Sequence, residues 1–123
     1  MVTHKNLKAW GKAMDFVCEV YRETAKFPKE ERFGLMQQLR RSSVSVPSNI
    51  AEGSARISRK EYIRFLSISL GSAVELETQL LLSRRLGFIS ELIVEEMIDE
   101  LNEIIRMIKG LIYRNQRLIV NNQ

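Results

Sequence analysis

The sequence predicts an all-α protein, an antiparallel up-down-up-down four-helix bundle with a second helix kinked at Pro47. Three observations predict it. Four segments carry apolar residues at alternating spacings of three and four, which gathers them on one helical face. Only two prolines and six glycines occur in 123 residues, so there is little turn chemistry and the elements must be few and long. The links between segments are short, which forces neighbouring helices to pack antiparallel. Residues 1–123 read as one domain, long enough to bury about two-thirds of its unfolded surface, with helices at about 7–26, 30–54, 58–86 and 90–116.

The first helix carries Leu7, Trp10, Met14, Val17 and Tyr21 as its core stripe, with Cys18 beside it as a small core residue. Phe27-Pro28 ends it, because proline disfavours helical geometry in the residue before it. Glu30 and Glu31 suit the start of the second helix. Its stripe is Met36, Leu39, Ser43, Val46, Ile50, Gly53 and Ile57. The third begins at Ser58, where Ser-Arg-Lys-Glu is a capping box: the serine accepts from the Glu61 amide and Glu61 reaches back. Tyr62, Phe65, Leu66, Ser69, Ala73, Leu76 and Leu80 form its stripe. Gly87 suits a left-handed C-terminal position, with Phe88 placed for the accompanying apolar contact. Ser90 caps the fourth helix, whose stripe is Val94, Met97, Leu101, Ile104, Ile108 and Leu111, and the tail from Gln116 is expected to fray.

Composition narrows the class. Hydrophobic residues make up 45% and charged residues 28%, as in a soluble globular domain. The single cysteine allows no intrachain disulfide and fits a reducing compartment. The N-terminal residues lack the apolar core of a signal peptide, and the greasiest stretch, Tyr62 to Leu82, is broken by Arg64, Glu75 and Glu77. No membrane association is expected, and the cytoplasm is the expected location.

The net charge of +4 is modest, but the bundle sorts it. One end gathers the N-terminus, the turn between helices two and three, and the C-terminus. It collects Lys5, Lys8, Lys12, Arg56, Arg59, Lys60, Arg64, Arg106, Lys109, Arg114 and Arg117 against Asp15, Glu52 and Glu61. The acids concentrate instead at Glu91, Glu95, Glu96, Asp99, Glu100 and Glu103 on helix four. The helix dipole accounts for Lys109, Arg114 and Arg117, and for Arg56, at helix C-termini. It does not account for Lys5 and Lys8, or for Arg59, Lys60 and Arg64, which lie at helix starts where cations oppose the dipole. Either this end is a solvated basic rim, or it binds an anion, with the phosphates of RNA or DNA the commonest kind. The candidate nucleic-acid-binding residues are Lys5, Lys8, Arg56, Arg59, Lys60, Arg64, Lys109, Arg114 and Arg117.

Catalytic patterns are missing. A carboxylate-bridged metal pair in a bundle needs Glu-x-x-His units, and His4 is the sole histidine. One cysteine and one histidine make no zinc site, and no phosphate-cradling loop or dinucleotide fingerprint occurs. Glu75 and Glu77, set in an apolar helix, read as flanking positions that meet an arginine or a neighbouring subunit. Enzymatic activity, metals and cofactors are not expected.

The stretch RRSSVSVPSNIAEGSAR, Arg40 to Arg56, contains poor helix formers, yet its three-four stripe runs unbroken through Pro47. A bent helix follows, with one backbone bond to the Ser43 carbonyl lost. Its outward residues are Arg41, Val44, Ser45, Ser48, Ala51 and Glu52. A solvent face normally carries long polar residues; this small, partly apolar one suits a contact between subunits, the alternative being a weakly stable kinked turn.

The same region carries a family resemblance. Phe27, Pro28, Glu31, Gly34, Leu35, Gln38, Arg40, Ser45, the run Asn49-Ile50-Ala51-Glu52-Gly53, and Arg56 resemble the central motif of the 23S ribosomal-RNA intervening-sequence proteins. Trp10, Phe65 and the segment Gly71 to Glu77 also resemble that family, and the likeness covers about Leu7 to Tyr113. It implies a four-helix bundle assembled as a homopentamer, with no assigned catalytic residues. Some members are encoded within insertions in large-subunit ribosomal-RNA genes. Related accessory variability proteins of diversity-generating retroelements form similar pentamers that bind nucleic acid and a reverse transcriptase. The expected function is therefore non-enzymatic: a homo-oligomer, by resemblance a pentamer, binding RNA or DNA through its basic end with low sequence selectivity. The alternative is a scaffold for a protein partner, such as a reverse transcriptase, with no nucleic-acid contact of its own.

Overall fold

The computed structural model describes residues 3–121. Among them are four long helices, α1 (Lys8–Thr24), α2 (Leu35–Ser54), α3 (Arg59–Arg85) and α4 (Glu91–Asn121), and two single-turn 3-10 segments at His4–Asn6 and Lys29–Glu31. Each helix packs on its two neighbours around a square: α1 on α2 and α4, α3 on α2 and α4, with no close backbone approach across either diagonal among the described residues. The α1–α4 seam is the least extensive. Contacts between opposite termini make the bundle antiparallel: Arg40 near the start of α2 donates to Thr24 at the end of α1, and Arg59 at the start of α3 donates to Asn115 near the end of α4.

The helix ends follow local chemistry. Ser58 Oγ accepts from the Glu61 amide at 3.1 Å, but the Glu61 carboxylate turns to Arg64 Nε at 2.8 Å instead of reaching back. The Arg64 guanidinium holds the Glu61 carboxyl below its ordinary range. Gly87 has φ +79°, and Phe88 N donates to Ser83 O while Gly87 N donates to Arg84 O, a Schellman ending. Phe88 then packs on Phe27 with ring centroids 5.2 Å apart, tying the α3–α4 link to the α1–α2 link. Ser90 caps α4 by accepting from Ile93 N.

Four expectations need correction. Helix α2 begins at Leu35, not near residue 30, because residues 29–31 form a 3-10 turn and Glu31 Oε1 accepts from Leu35 N at 3.1 Å, capping α2 from outside. Helix α4 runs to Asn121, past the expected end at 116, so the tail from Gln116 to Asn121 is helical. The buried line of α1 is Ala9, Ala13, Phe16, Val20 and Thr24, while Met14, Tyr21 and Cys18 are exposed. Helix α1 is apolar on two faces, and the small alanines, not the bulkier residues, allow its close approach to the core. Ile57 lies in the α2–α3 turn, fully exposed, so the α2 stripe stops at Gly53.

Pro47 sits inside a continuous, buried α2. Polar side chains fasten this helix to α3: Ser69 Oγ donates to the Val46 carbonyl at 2.8 Å, Ser42 Oγ bonds Gln79 Oε1 at 2.6 Å, and the Ser45 and Ser72 hydroxyls meet at 2.7 Å. Two of the serines that weaken α2 as an isolated helix, Ser42 and Ser45, are therefore bonds to its neighbour, whereas Ser43 and Ser54 donate back to the Arg40 and Ala51 carbonyls of α2 itself. Ser43, Val46, Ile50 and Gly53 are buried as predicted, and Ser42 and Pro47 join them because α2 is packed on two sides.

Candidate nucleic-acid interface

The α2–α3 corner is built on Gly53. A Cβ there would lie 2.8 Å from Phe65 Cβ, 3.0 Å from Tyr62 Cδ1 and 3.3 Å from the Tyr62 carbonyl, so only glycine lets the first turn of α3 approach so closely. That approach fixes Arg56, whose guanidinium lies 4.8 Å from the Phe65 ring centroid and whose Nη2 donates to Glu52 Oε1 at 2.8 Å. The Arg64 guanidinium also lies 4.8 Å from the same centroid. Two cations on one buried ring hold the corner's charge in a defined place.

The start of α1 and the end of α4 complete the corner. Leu7, Ser54, Arg56, Ile57, Ser58, Arg59, Tyr62, Leu111, Arg114, Asn115 and Leu118 line an open recess of about 470 Å³. Asn115 is buried at 4% exposure; its Nδ2 donates to the Leu111 carbonyl and its Oδ1 accepts from Arg59 Nη1 at 3.1 Å. Burial pushes the Tyr62 phenol pKa up, opposed by the nearby Arg114 charge. Two shallower hollows adjoin it, one with Lys8 and Arg114, the other with Tyr113, Arg114 and Arg117.

Of the nine candidate cations, the structure draws Lys8, Arg56, Arg59, Arg114 and Arg117 into these hollows and ties Arg64 in through Phe65. Lys5 in the 3-10 turn, Lys60 in the first turn of α3 and Lys109 inside α4 are exposed and line none of the three. Arg56 and Arg64 pair with carboxylates; the other seven meet none among the described residues. Two residues counted at this end belong elsewhere. Lys12 pairs with Glu103 across the α1–α4 seam at 3.1 Å, and Arg106 is at mid-helix because α4 is longer than expected.

Asn115, Tyr62 and Leu118 were not among the predicted site residues. Asn115 and Leu118 had a signal: they continue the three-four spacing of Ile108 and Leu111, and a polar residue on a core stripe marks a buried hydrogen-bonded position. Elsewhere, Glu19 of α1 and Glu100 of α4 form a carboxyl pair. Burial first, then the hydrogen bond to Glu100 and its charge, raise Glu19 from 4.5 to about 7.

The predicted subunit-contact residues divide. Arg41, Val44, Ser48 and Glu52 are exposed and Ala51 half-buried, whereas Ser45 is bonded to Ser72 of α3 and to Asn49. Arg41, Val44 and Ser45 border a groove of about 650 Å³ with Tyr21, Phe33 and Met36. Helix α3 has the length and apolar content of a membrane span, yet it packs in the bundle and is interrupted by Arg64, Glu75 and Glu77. Its outward side still bears Ile68, Gly71, Val74 and Leu82. No group of three His, Cys, Asp or Glu is placed to hold a metal ion among the described residues.

Comparison with known proteins agrees with this architecture. A crystal structure of a protein of unknown function from the S23 ribosomal protein family of Bacteroides thetaiotaomicron superposes with a TM-score of 0.76 at 26% identity, over 85% of this chain and 97% of that one. No curated protein sequence matches significantly. Residues 5–110, from the 3-10 turn before α1 to the last third of α4, match one family along their whole length. The chain belongs to the 23S rRNA-intervening sequence protein family.

Proposed function

We propose that this is a non-enzymatic, cytoplasmic homo-oligomer, a pentamer as its family resemblance implies, that binds RNA or DNA through the basic end with little sequence selectivity. The observation that carries the reading is a basic end with seven cations that meet no carboxylate among the described residues, four of which, Lys8, Arg59, Arg114 and Arg117, line the hollows at the corner of α1, α2, α3 and α4. Cations at the starts of α1 and α3 oppose the local dipoles, so they lower the stability of the bundle unless an anion offsets them. Phosphate contacts through such side chains carry affinity but little sequence information.

The apolar residues left outside the bundle favour assembly. Val74 of α3, Val44 of α2 and the 83%-exposed Phe33 give several small apolar areas for a second copy to cover. A cyclic arrangement that aligns the basic ends multiplies their field and draws a polyanion more strongly than one chain does. The second reading, a scaffold for another protein, is favoured by the groove under Tyr21, Phe33, Met36 and Val44, which lies away from the basic corner.

One pair of measurements tests the proposal. Light scattering across micromolar concentrations reports assembly, and retention on single-stranded RNA at low salt reports binding. The proposal expects an oligomer that is retained, and loss of retention in an Arg59→Ala, Lys60→Ala, Arg64→Ala variant that keeps its helical circular dichroism. A strictly monomeric protein, or one that no nucleic acid retains, contradicts it.

A further inference from the structure

The corner cavity has a shape that general phosphate binding does not require. A basic surface that only follows a phosphate backbone can be convex. Here the cations border a recess of about 470 Å³, within the size range of small-ligand sites. Its walls divide by chemistry. Tyr62, Leu111 and Leu118 supply an aromatic and aliphatic side, while Arg56, Arg59 and Arg114 supply the charge.

The arginines are set for an anion. Arg59 spends one of its five N–H donors on Asn115, a buried side chain itself locked by the Leu111 carbonyl. Arg56 is held by Glu52 through one nitrogen. Arg114 has no hydrogen-bonding or carboxylate partner among the described residues. The backbone N–H groups of Arg59 and Lys60, in the first turn of α3, also have no acceptor among the described residues. Two held guanidiniums, a third with all its donors free of protein partners among the described residues, and a helix head beside an apolar wall match a ligand that is charged at one end and flat and apolar at the other. A phosphomonoester carries nearly twice the charge of a backbone phosphodiester, so three arginines favour it.

We infer that this cavity binds a single nucleotide by its phosphomonoester, with the phosphate on Arg59, Arg114 and Arg56 and the base against Tyr62, Leu111 and Leu118. The inference rests on the reading that the basic end binds nucleic acid, and it names what the recess within that end selects. The same chemistry is available from the phosphorylated end of a strand or from a free mononucleotide.

The test compares a single-stranded RNA decamer phosphorylated at its 5′ end, at its 3′ end, or at neither, together with free AMP, each titrated against the full-length protein. A terminal phosphate is expected to raise decamer affinity about ten-fold. An Arg59→Gln, Arg114→Gln variant brings that ratio to one, whatever it does to overall affinity. A Lys60→Gln, Lys109→Gln variant weakens all decamers alike and keeps the ratio. AMP binding that needs Arg59 and Arg114, with no preference among decamers, assigns the pocket to free nucleotides. Decamers bound equally tightly, with no arginine-dependent AMP binding, overturn the pocket and leave the polyanion reading standing. Binding of no decamer at all overturns that broader reading.

Discussion

Replacing Gly53 with alanine perturbs the one place where α2 and α3 come closest. The added Cβ meets Phe65 Cβ at 2.8 Å, an atom fixed to its own backbone, and Tyr62 Cδ1 at 3.0 Å. Relief requires α3 to move, since Tyr62 and Phe65 both lie in its first two turns. Forcing a methyl group into a packed site costs about 1–3 kcal/mol. Alanine regains at most about 1 kcal/mol of helix propensity, and less in a final turn. The net loss is about 1–2 kcal/mol, a fall in Tm of about 3–10 °C for a chain of this length. Gly110→Ala supplies the opposite sign: Gly110 is exposed in α4 and a Cβ added there has nothing within 4 Å, so the variant gains about 0.5–1 kcal/mol. Calorimetric melting of both variants at one protein concentration checks the pair. A Gly53→Ala protein as stable as the parent refutes the close-approach argument.

Three further outcomes follow from other contacts. Folding raises the Glu19 pKa to about 7, so the folded chain holds a proton that the unfolded chain releases above about 4.5; stability is full at lower pH and falls as pH rises toward 7. Glu19→Gln supplies a permanent hydrogen-bond donor to Glu100 and is expected to remove that decline, a gain of about 1 kcal/mol at pH 8 after discounting for solvent exposure, read from urea midpoints at pH 5 and 8. Ser42→Ala leaves the buried Gln79 Oε1 without its 2.6 Å partner and is expected to cost about 1–3 kcal/mol in urea unfolding. Val44→Arg places a charge on the exposed side of α2 and is expected to disperse the proposed oligomer in light scattering while far-ultraviolet circular dichroism is kept.

The architecture was legible because the stripes of α3 and α4 are long and periodic, and because Ser58, Gly87 and Ser90 are unambiguous end signals. The core face of α1 was not. Spacing alone cannot rank two apolar faces, and the choice fell to Ala9 and Ala13, whose small size matters only once a neighbour is present. The start of α2 was hidden for a similar reason: Glu31 looked like a first-turn residue but acts as an external cap on Leu35 N. At the site, the cations were visible as a set, yet their grouping depended on how far α4 extends. Its extra turn leaves Arg106 at mid-helix and brings Leu118 against the corner. The cavity itself comes from Gly53 and Asn115, two residues whose roles are defined by partners distant in sequence.

The central claim is that the seven cations of the basic end that meet no carboxylate among the described residues meet phosphates. The most direct test is the slope of log K against log salt concentration for single-stranded RNA. If only half of those cations displace counterions, the slope per protomer is about −2 or steeper, at roughly −0.7 for each phosphate neutralised. A slope near zero, or no RNA binding at low salt, contradicts the account.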